Sequence, residues 1–176
     1  MGEKKFIMDE KVASAAAAYY EVGADLDKEV DEYVKSLQSG AKPQKVNILK
    51  QIVAMTNMAF SCELFLKSFL DDATRATKKA QVHNLVALFD LFDNDEEIKN
   101  FIITPVVNGM KSIHSEYSVE SFNKDLSENA DVFFDWRYYY EGNKPSINME
   151  FIRVFSGSLQ SMYDVQKAIL AMNKES

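Results

Sequence analysis

The chain has few of the residues that cross-link a fold or bind metals. Cys62 is the single cysteine, so an intrachain disulfide is impossible and a zinc site built from cysteines is excluded. It lies in an apolar stretch and is predicted to be a small buried thiol. Two histidines are present without a His-Glu-x-x-His motif, so we predict neither a metal site nor a cofactor.

Long apolar runs are also missing. No run approaches the roughly 20 residues of a membrane span, and the N-terminus turns acidic before an apolar signal core develops. We therefore expect a cytoplasmic protein that does not enter a membrane. At 176 residues, 47% of them apolar, the chain has the size and composition of one globular domain covering residues 1–176.

Basic residues are outnumbered, and the formal net charge is −7 with a pI near 4.9. An acidic chain does not favour broad binding to nucleic-acid phosphates, which needs a basic surface. A small local site for RNA or a nucleotide stays possible. The one notable basic cluster, Arg75 with Lys78 and Lys79, is typical of a solvated loop.

Proline and glycine are scarce, with three and six residues, and apolar residues recur at spacings of three and four. This pattern predicts an all-α fold, an antiparallel up-and-down helical bundle of four to five long helices plus short helices. The predicted helices cover about 9–39, 44–72, 85–92, 94–101, 119–140 and 148–173. Thr104-Pro105 either kinks the fourth helix or caps a new one.

The first and last predicted helices each carry an apolar stripe that indicates a buried face. The stripe of the first helix comprises Val12, Ala16, Tyr19, Gly23, Leu26, Val30, Tyr33 and Leu37. The stripe of the last helix comprises Phe151, Val154, Phe155, Leu159, Met162, Gln166, Ile169 and Met172.

Six aromatic residues surround one arginine in the segment Phe-Phe-Asp-Trp-Arg-Tyr-Tyr-Tyr-Glu, residues 133–141. Arg137 and Glu141 are four residues apart and form a possible helical ion pair. In one interpretation Glu141 holds the guanidinium and ties the helix to the core. In the other, Arg137 lies in a cleft and can bind a phosphate.

Two further candidates lie earlier in the chain. Glu63 and Lys67 are four residues apart and flanked by apolar residues, so they form either a compensated structural pair or a charged pair at the mouth of a cleft. His83 precedes a predicted helix start and is expected to cap that helix, to make a core hydrogen bond or to act in catalysis. His114 is predicted to be an ordinary surface histidine.

Three segments, in this order, resemble the pattern of HEPN-domain proteins. Residues 59–70 look like the Glu-Leu-x-Leu-Lys helix of that family, and residues 83–89 are similar to its His-x-Leu-x-x-Leu-Phe segment. Residues 136–141 resemble its late Arg-Tyr-x-Tyr-Glu element. The resemblance covers about residues 44–173, and the helix of about 9–39 precedes this core.

The resemblance implies a helical bundle, often a homodimer with the functional cleft between subunits, that binds RNA or a nucleotide. Many HEPN proteins are metal-independent ribonucleases of toxin–antitoxin or phage-defence systems, and some have a nucleotidyltransferase partner. The nuclease branch carries Arg-x4–6-His. Here the positions of that histidine are Gly142, Asn143 and Lys144, so the general acid–base residue is missing.

Three functional hypotheses follow. The first is a HEPN-like protein without strong catalysis that binds RNA, a nucleotide or a protein partner. The second is a divergent ribonuclease in which His83 or a tyrosine acts beside Arg137. The third is a pure protein-interaction module. The candidate site residues, carried over by the resemblance, are Glu63, Lys67, His83, Arg137 and Glu141.

Overall fold

The computed structural model describes residues 8–40, 42, 45–137 and 148–174. Over these residues the regular elements are all helical, which confirms the all-α prediction. The α-helices are α1 (Glu10–Gln38), α2 (Lys45–Ser68), α3 (Asp72–Arg75), α4 (Leu85–Phe89), α5 (Glu96–Lys111), α6 (Val119–Glu128), α7 (Val132–Arg137) and α8 (Met149–Lys174). Short 3-10 helices at Lys78–Gln81 and Asp90–Phe92 flank α4.

The first helix begins and ends close to its predicted bounds. The Asp9 side chain accepts a hydrogen bond from the Val12 amide at 3.0 Å and caps the N-terminus of α1. This contact is the first cause of the lowered pKa of Asp9, and Arg75, at 2.8 Å, lowers it further. At the other end Gly40 has a φ of 96°, a left-handed conformation that glycine adopts without strain.

Helices α1 and α2 run antiparallel. The Asp9 amide bonds to the Ser68 carbonyl at 2.8 Å, and an ion pair joins Glu29 to Lys50 further along the two helices. Gly23 lies where the two helices approach closely, since an added Cβ would be 2.8 Å from Met58 Cγ. Because glycine has no side chain at this point, the two helices pack without a gap.

Helix α8 lies antiparallel to α1 and completes the core. Ser14 and Tyr163 hydroxyls are 2.7 Å apart near one end, and Arg153 bonds Asp27 towards the other. Phe122 of α6 lies within 6 Å of the ring centroids of Phe89, Phe151 and Phe155. The core is therefore built on α1, α2, α5 and α8, with the short helices closing it.

The predicted helix of residues 119–140 is wrong, because α6 ends at Glu128 and α7 begins at Val132. Asn129 separates them and is buried. Its amide nitrogen donates to the Asp125 carbonyl at 2.7 Å, and its amide oxygen accepts from the Asn148 backbone at 3.1 Å. Because these hydrogen bonds hold the chain in a turn at Asn129, helix α6 cannot continue through this residue. Residues 138–140 lie outside the described residues.

Two other boundaries differ from the predictions. The charged segment 71–81, predicted as a loop, contains α3 and a 3-10 helix. The helix predicted for 94–101 continues to Lys111 with Pro105 inside it. Pro105 cannot donate to the Phe101 carbonyl, and Phe101 is 44% exposed, so water can reach this part of the helix.

The two apolar stripes were only partly right. On α1 the buried positions include Ala13, Ala16 and Ala17, whereas Tyr19 is 41% exposed. On α8 Ile169 is 47% exposed. Small residues pack best where helices approach closely, so the larger Tyr19 lies at the edge, with its ring centroid 4.6 Å from that of Phe60. No helix among the described residues combines the length and apolarity that a membrane crossing requires.

Candidate functional site

A buried carboxylate lies at the centre of the candidate site. Glu63 lies in the C-terminal part of α2 and is 1% exposed. One turn later, Lys67 Nζ donates to Glu63 Oε1 at 2.7 Å. Lys67 retains 15% side-chain exposure. The predicted pair therefore forms, and it satisfies a carboxylate that would be costly to bury alone.

His83 reaches the same carboxylate from a different part of the chain. Its Nδ1 lies 2.9 Å from Glu63 Oε2 and 3.1 Å from Oε1. A carboxylate only accepts hydrogen bonds, so Nδ1 carries the proton in this contact. In the neutral ring the lone pair is then on Nε2, the nitrogen away from Glu63. The side chain of His83 is 40% exposed.

The chain around His83 is fixed by neighbouring contacts. Asn84, not His83, caps α4: its side chain accepts from the Ala87 amide at 2.9 Å and donates to Asp131 at 2.9 Å. The Leu85 amide donates to the Ala130 carbonyl at 2.8 Å. Of the alternatives for His83, the capping role is thus wrong and the hydrogen bond to a buried group is confirmed.

Aromatic rings form one wall of the site. The imidazole centroid of His83 lies 5.5 Å from the ring of Phe133 and 5.2 Å from that of Phe134, both on α7. Phe133 also stacks on Phe60 of α2, with centroids 4.8 Å apart. Phe134 is 39% exposed. His83 is therefore oriented by its hydrogen bond to a carboxylate and by contacts with two phenyl rings.

The late arginine element is only partly described. Arg137 is the last residue of α7, one helical turn after Phe133. The side chain of Arg137 and all of Glu141 lie outside the described residues. Of the five predicted site residues, Glu63, Lys67 and His83 converge. The two interpretations of Arg137 stay predictions.

The charges of this cluster nearly cancel. The carboxylate of Glu63 compensates the ammonium of Lys67, and His83 adds a positive charge when it is protonated. Lys78 and Lys79 are exposed in the 3-10 helix that leads to His83, and exposed Asp131 accepts a hydrogen bond from Asn84. Of the basic cluster predicted from the sequence, Lys78 and Lys79 thus lie five and four residues before His83, whereas Arg75 lies eight residues before it and pairs with Asp9 and Asp72.

Other predicted residues take simpler roles. Cys62 is fully buried, and burial raises the pKa of its thiol well above the ordinary value, which confirms the buried-thiol prediction. His114 is exposed and pairs with Glu150 of α8. Among the described residues, no group of three or more His, Cys, Asp and Glu side chains is arranged to hold a metal ion.

A second charged site was not predicted from the sequence. Arg153 donates to both Asp27 oxygens at 2.7 Å, and Gln51 donates to one of them at 2.9 Å. The hydrogen bonds to Asp27 are the main cause of the raised pKa of Arg153. The group borders a cleft of about 310 Å³ between α1 and α8. One signal was available: Asp27 lies four residues after Gly23, on the buried side of α1.

Comparisons with known proteins do not identify the chain. No family model matches it, and no curated protein or solved structure matches it either. The HEPN resemblance of the three segments therefore stays a prediction.

Proposed function

We propose that this chain is a HEPN-like helical protein that binds RNA or a nucleotide at the Glu63–Lys67–His83 cluster, without strong catalysis. One observation carries the proposal: buried Glu63 holds Lys67 and His83 together beside the rings of Phe133 and Phe134. Lys67 and His83 are partly exposed, and Glu63 holds both in a fixed orientation. They can therefore contact a ligand, which supports a binding site.

The chemistry of the cluster suits a nucleotide. Nε2 of neutral His83 can accept a hydrogen bond from a ribose hydroxyl or a base amine. The ring of Phe134 is partly exposed and can contact a base, and base–aromatic stacking contributes about 1–3 kcal/mol. Lys78 and Lys79 precede His83 and can bind phosphate. The acidic surface elsewhere limits binding to this local site.

Binding can be measured by fluorescence anisotropy with labelled single-stranded RNA, and by competition with ATP and GTP. His83→Ala is expected to weaken binding about ten-fold, the equivalent of one lost hydrogen bond to the ligand. His114→Ala is the matched control, because His114 is exposed and pairs with Glu150 instead. Equal affinities of the two variants would contradict the proposed site.

A divergent ribonuclease is the second candidate, and the contact between Glu63 and His83 favours it specifically. A carboxylate that holds Nδ1 leaves Nε2 available as a general base. This candidate predicts RNA cleavage in EDTA that His83→Ala abolishes at an unchanged melting temperature. The leading proposal predicts no cleavage. RNA cleavage that Arg137→Ala abolishes while the protein stays folded would refute the leading proposal.

The proposal also includes the assembly and location of the protein. We propose that it acts as a homodimer in the cytoplasm, as the family resemblance implies. A protein partner, including one of the nucleotidyltransferase type, belongs to the same set of expectations. A stable heteromeric complex from the native cell, together with no binding of RNA or nucleotides, would favour the pure interaction module instead.

A further inference from the structure

Helix α1 has a second apolar face beside the one in the core, and one of its residues, Leu26, also packs against the core. This second face consists of Val12, Ala15, Tyr19, Val22 and Leu26, and we name it the outer seam. The spacing alternates between three and four residues, as at the a and d positions of a heptad. Ala15 is exposed, Tyr19 is 41% exposed and Val22 is 51% exposed. The core face instead uses residues such as Ala13, Ala16 and Gly23.

The outer seam contains no charged residue, although the chain as a whole has a net charge of −7. Its outward flank consists of Lys11, Ala18, Asp25 and Glu32, which are spaced by seven residues and all exposed. The flank therefore begins with a positive charge and ends with negative ones. In coiled coils such flanking positions decide the orientation of the partner helix.

We propose that a second copy of this chain packs its α1 antiparallel against the outer seam. In this arrangement Lys11 lies opposite Asp25 of the second copy, and the two-fold axis produces the same attraction twice. Parallel packing would instead place these flanking residues on opposite sides of the pair, where Lys11 does not meet Asp25. Opposite charges thus favour the antiparallel pair.

The same register also fits the sizes of the side chains. Small Ala15 lies opposite large Tyr19 of the second copy, and Val12 lies opposite Val22. Ala18 lies beside Ala18 of the second copy, at the two-fold axis. Alternation of small and large residues allows the two helices to interdigitate.

The seam adjoins the candidate binding site. Tyr19 contacts Phe60 at 4.6 Å between centroids, Phe60 stacks on Phe133 at 4.8 Å, and Phe133 contacts His83 at 5.5 Å. A second copy on the seam would therefore lie within a few ring contacts of His83. This inference rests on one part of the proposed function, the dimeric state. It does not depend on RNA binding.

Sedimentation velocity over a wide range of protein concentration tests the surface. The wild type is expected to be a dimer, and Val22→Glu is expected to be a monomer with unchanged helicity. Val165→Glu is the matched control, because Val165 is 60% exposed on α8 and lies outside the seam. A monomeric wild type, or a dimer that Val22→Glu leaves intact, overturns the inference.

Charge reversal and cross-linking test the register. Lys11→Glu is expected to weaken the dimer about ten-fold, and adding Asp25→Lys is expected to restore it. Ala18→Cys should form a covalent dimer with a short bismaleimide, whereas exposed Ala168→Cys on α8 should not. Native Cys62 is fully buried and does not compete. No rescue together with no cross-link at position 18 overturns the antiparallel register.

The two proposals fail separately. RNA binding by a monomeric wild type would leave the RNA part of the proposed function intact and remove the seam inference. A dimer that dissociates on Val22→Glu but binds neither RNA nor nucleotides would support the seam and refute the proposed ligand.

Discussion

At the scale of single residues, Glu63 shows what a buried charge requires. Its carboxylate is 1% exposed and has two partners, Lys67 and His83. Lys67 could be assigned from the sequence because a spacing of four residues places both side chains on one helix face. The contact with His83 spans 20 positions and depends on the packing of α4 against α2. No local pattern specifies it.

Glu63→Gln is expected to lower the free energy of unfolding by about 2–3 kcal/mol, because Lys67 would lose its counter-charge. The partial exposure of Lys67 and His83 keeps the loss below that of a fully buried pair. The melting temperature should fall by about 4–12 °C, measured by circular dichroism.

Glu116→Gln is the matched control, since Glu116 is exposed in the loop between α5 and α6. Its effect should stay within about 0.5 kcal/mol. The double variant Glu63→Gln/Lys67→Met should recover part of the loss, because it removes the unpaired ammonium. No recovery would show that a buried charge is not the cause.

Tyr117 is a second residue whose partner decides its behaviour. Its hydroxyl donates to Asp125 Oδ2 at 2.7 Å in the interior, and Asn148 donates to the other oxygen at 3.0 Å. Burial raises the pKa of Tyr117 far above the usual value, and the hydrogen bond to Asp125 raises it further. The protonated phenol is thus the stable form in the fold.

Tyr117→Phe is expected to cost about 1–2 kcal/mol at pH 8, because Asp125 loses a buried donor. An unfolded tyrosine ionises at about pH 10, whereas the folded one keeps its proton. The stabilisation is therefore fully present below about pH 10 and declines above it as the unfolded state loses the proton. Urea unfolding should show the gap between wild type and variant narrowing above that pH. Exposed Tyr19→Phe should show no comparable gap at pH 8.

At the scale of elements, the packing of α1 on α2 depends on one missing side chain. A Cβ on Gly23 would lie 2.8 Å from Met58 Cγ and 3.0 Å from the Ala54 carbonyl oxygen. The carbonyl belongs to a helix backbone and cannot move aside alone. Gly157 of α8 differs, since a Cβ there would lie 3.5 Å from the Tyr20 hydroxyl, an ordinary contact.

Gly23→Ala is expected to lower the free energy of unfolding by about 1–2 kcal/mol. Overpacking costs about 1–3 kcal/mol, and the better helix propensity of alanine offsets part of it. Gly157→Ala is the matched control and is expected to raise stability by about 0.5–1 kcal/mol. Thermal unfolding of both variants measures this difference, and effects of the same sign would contradict the packing argument.

Helix positions could be predicted where local signals are strong. Asp9 and Gly40 bound α1, and Asp95, the first of three consecutive acidic residues, caps α5. The break between α6 and α7 could not be predicted, because the amide oxygen of Asn129 finds its partner, the Asn148 backbone, only next to the start of α8. Pro105 inside α5 was ambiguous for a related reason: local sequence alone does not tell whether a helix continues beyond a proline.

At the scale of the whole molecule, Asp27 and Arg153 join helices that are far apart in the chain. The two residues are 126 positions apart, and the guanidinium makes two hydrogen bonds of 2.7 Å. Asp27 is 7% exposed. Gln51 connects α2 to the same carboxylate, so three long helices meet at one buried group.

Arg153→Gln is expected to destabilise the protein by about 1–3 kcal/mol, since Asp27 would keep only weaker neutral donors. The side chain of Arg153 is 34% exposed, which keeps the loss moderate. Lys124→Gln is the matched control, because Lys124 is 74% exposed and 3.8 Å from Glu128. Its effect should stay below about 0.5 kcal/mol. If chemical denaturation showed that Arg153→Gln and Lys124→Gln lower the free energy of unfolding equally, burial would not strengthen the pair of Asp27 and Arg153.

The sequence by itself determined the fold class, the bounds of the long first helix and the pair of Glu63 with Lys67. These depend on interactions between residues a few positions apart, which local spacing encodes. The tertiary structure alone decided that His83 meets Glu63, that Arg153 meets Asp27 and that Tyr19 lies outside the core. Those contacts depend on how separate helices pack, and the packing follows from side-chain volumes across the whole bundle. Because cysteine, proline and glycine are scarce, few cross-links or backbone constraints act on the chain. The arrangement of the helices therefore depends on this packing.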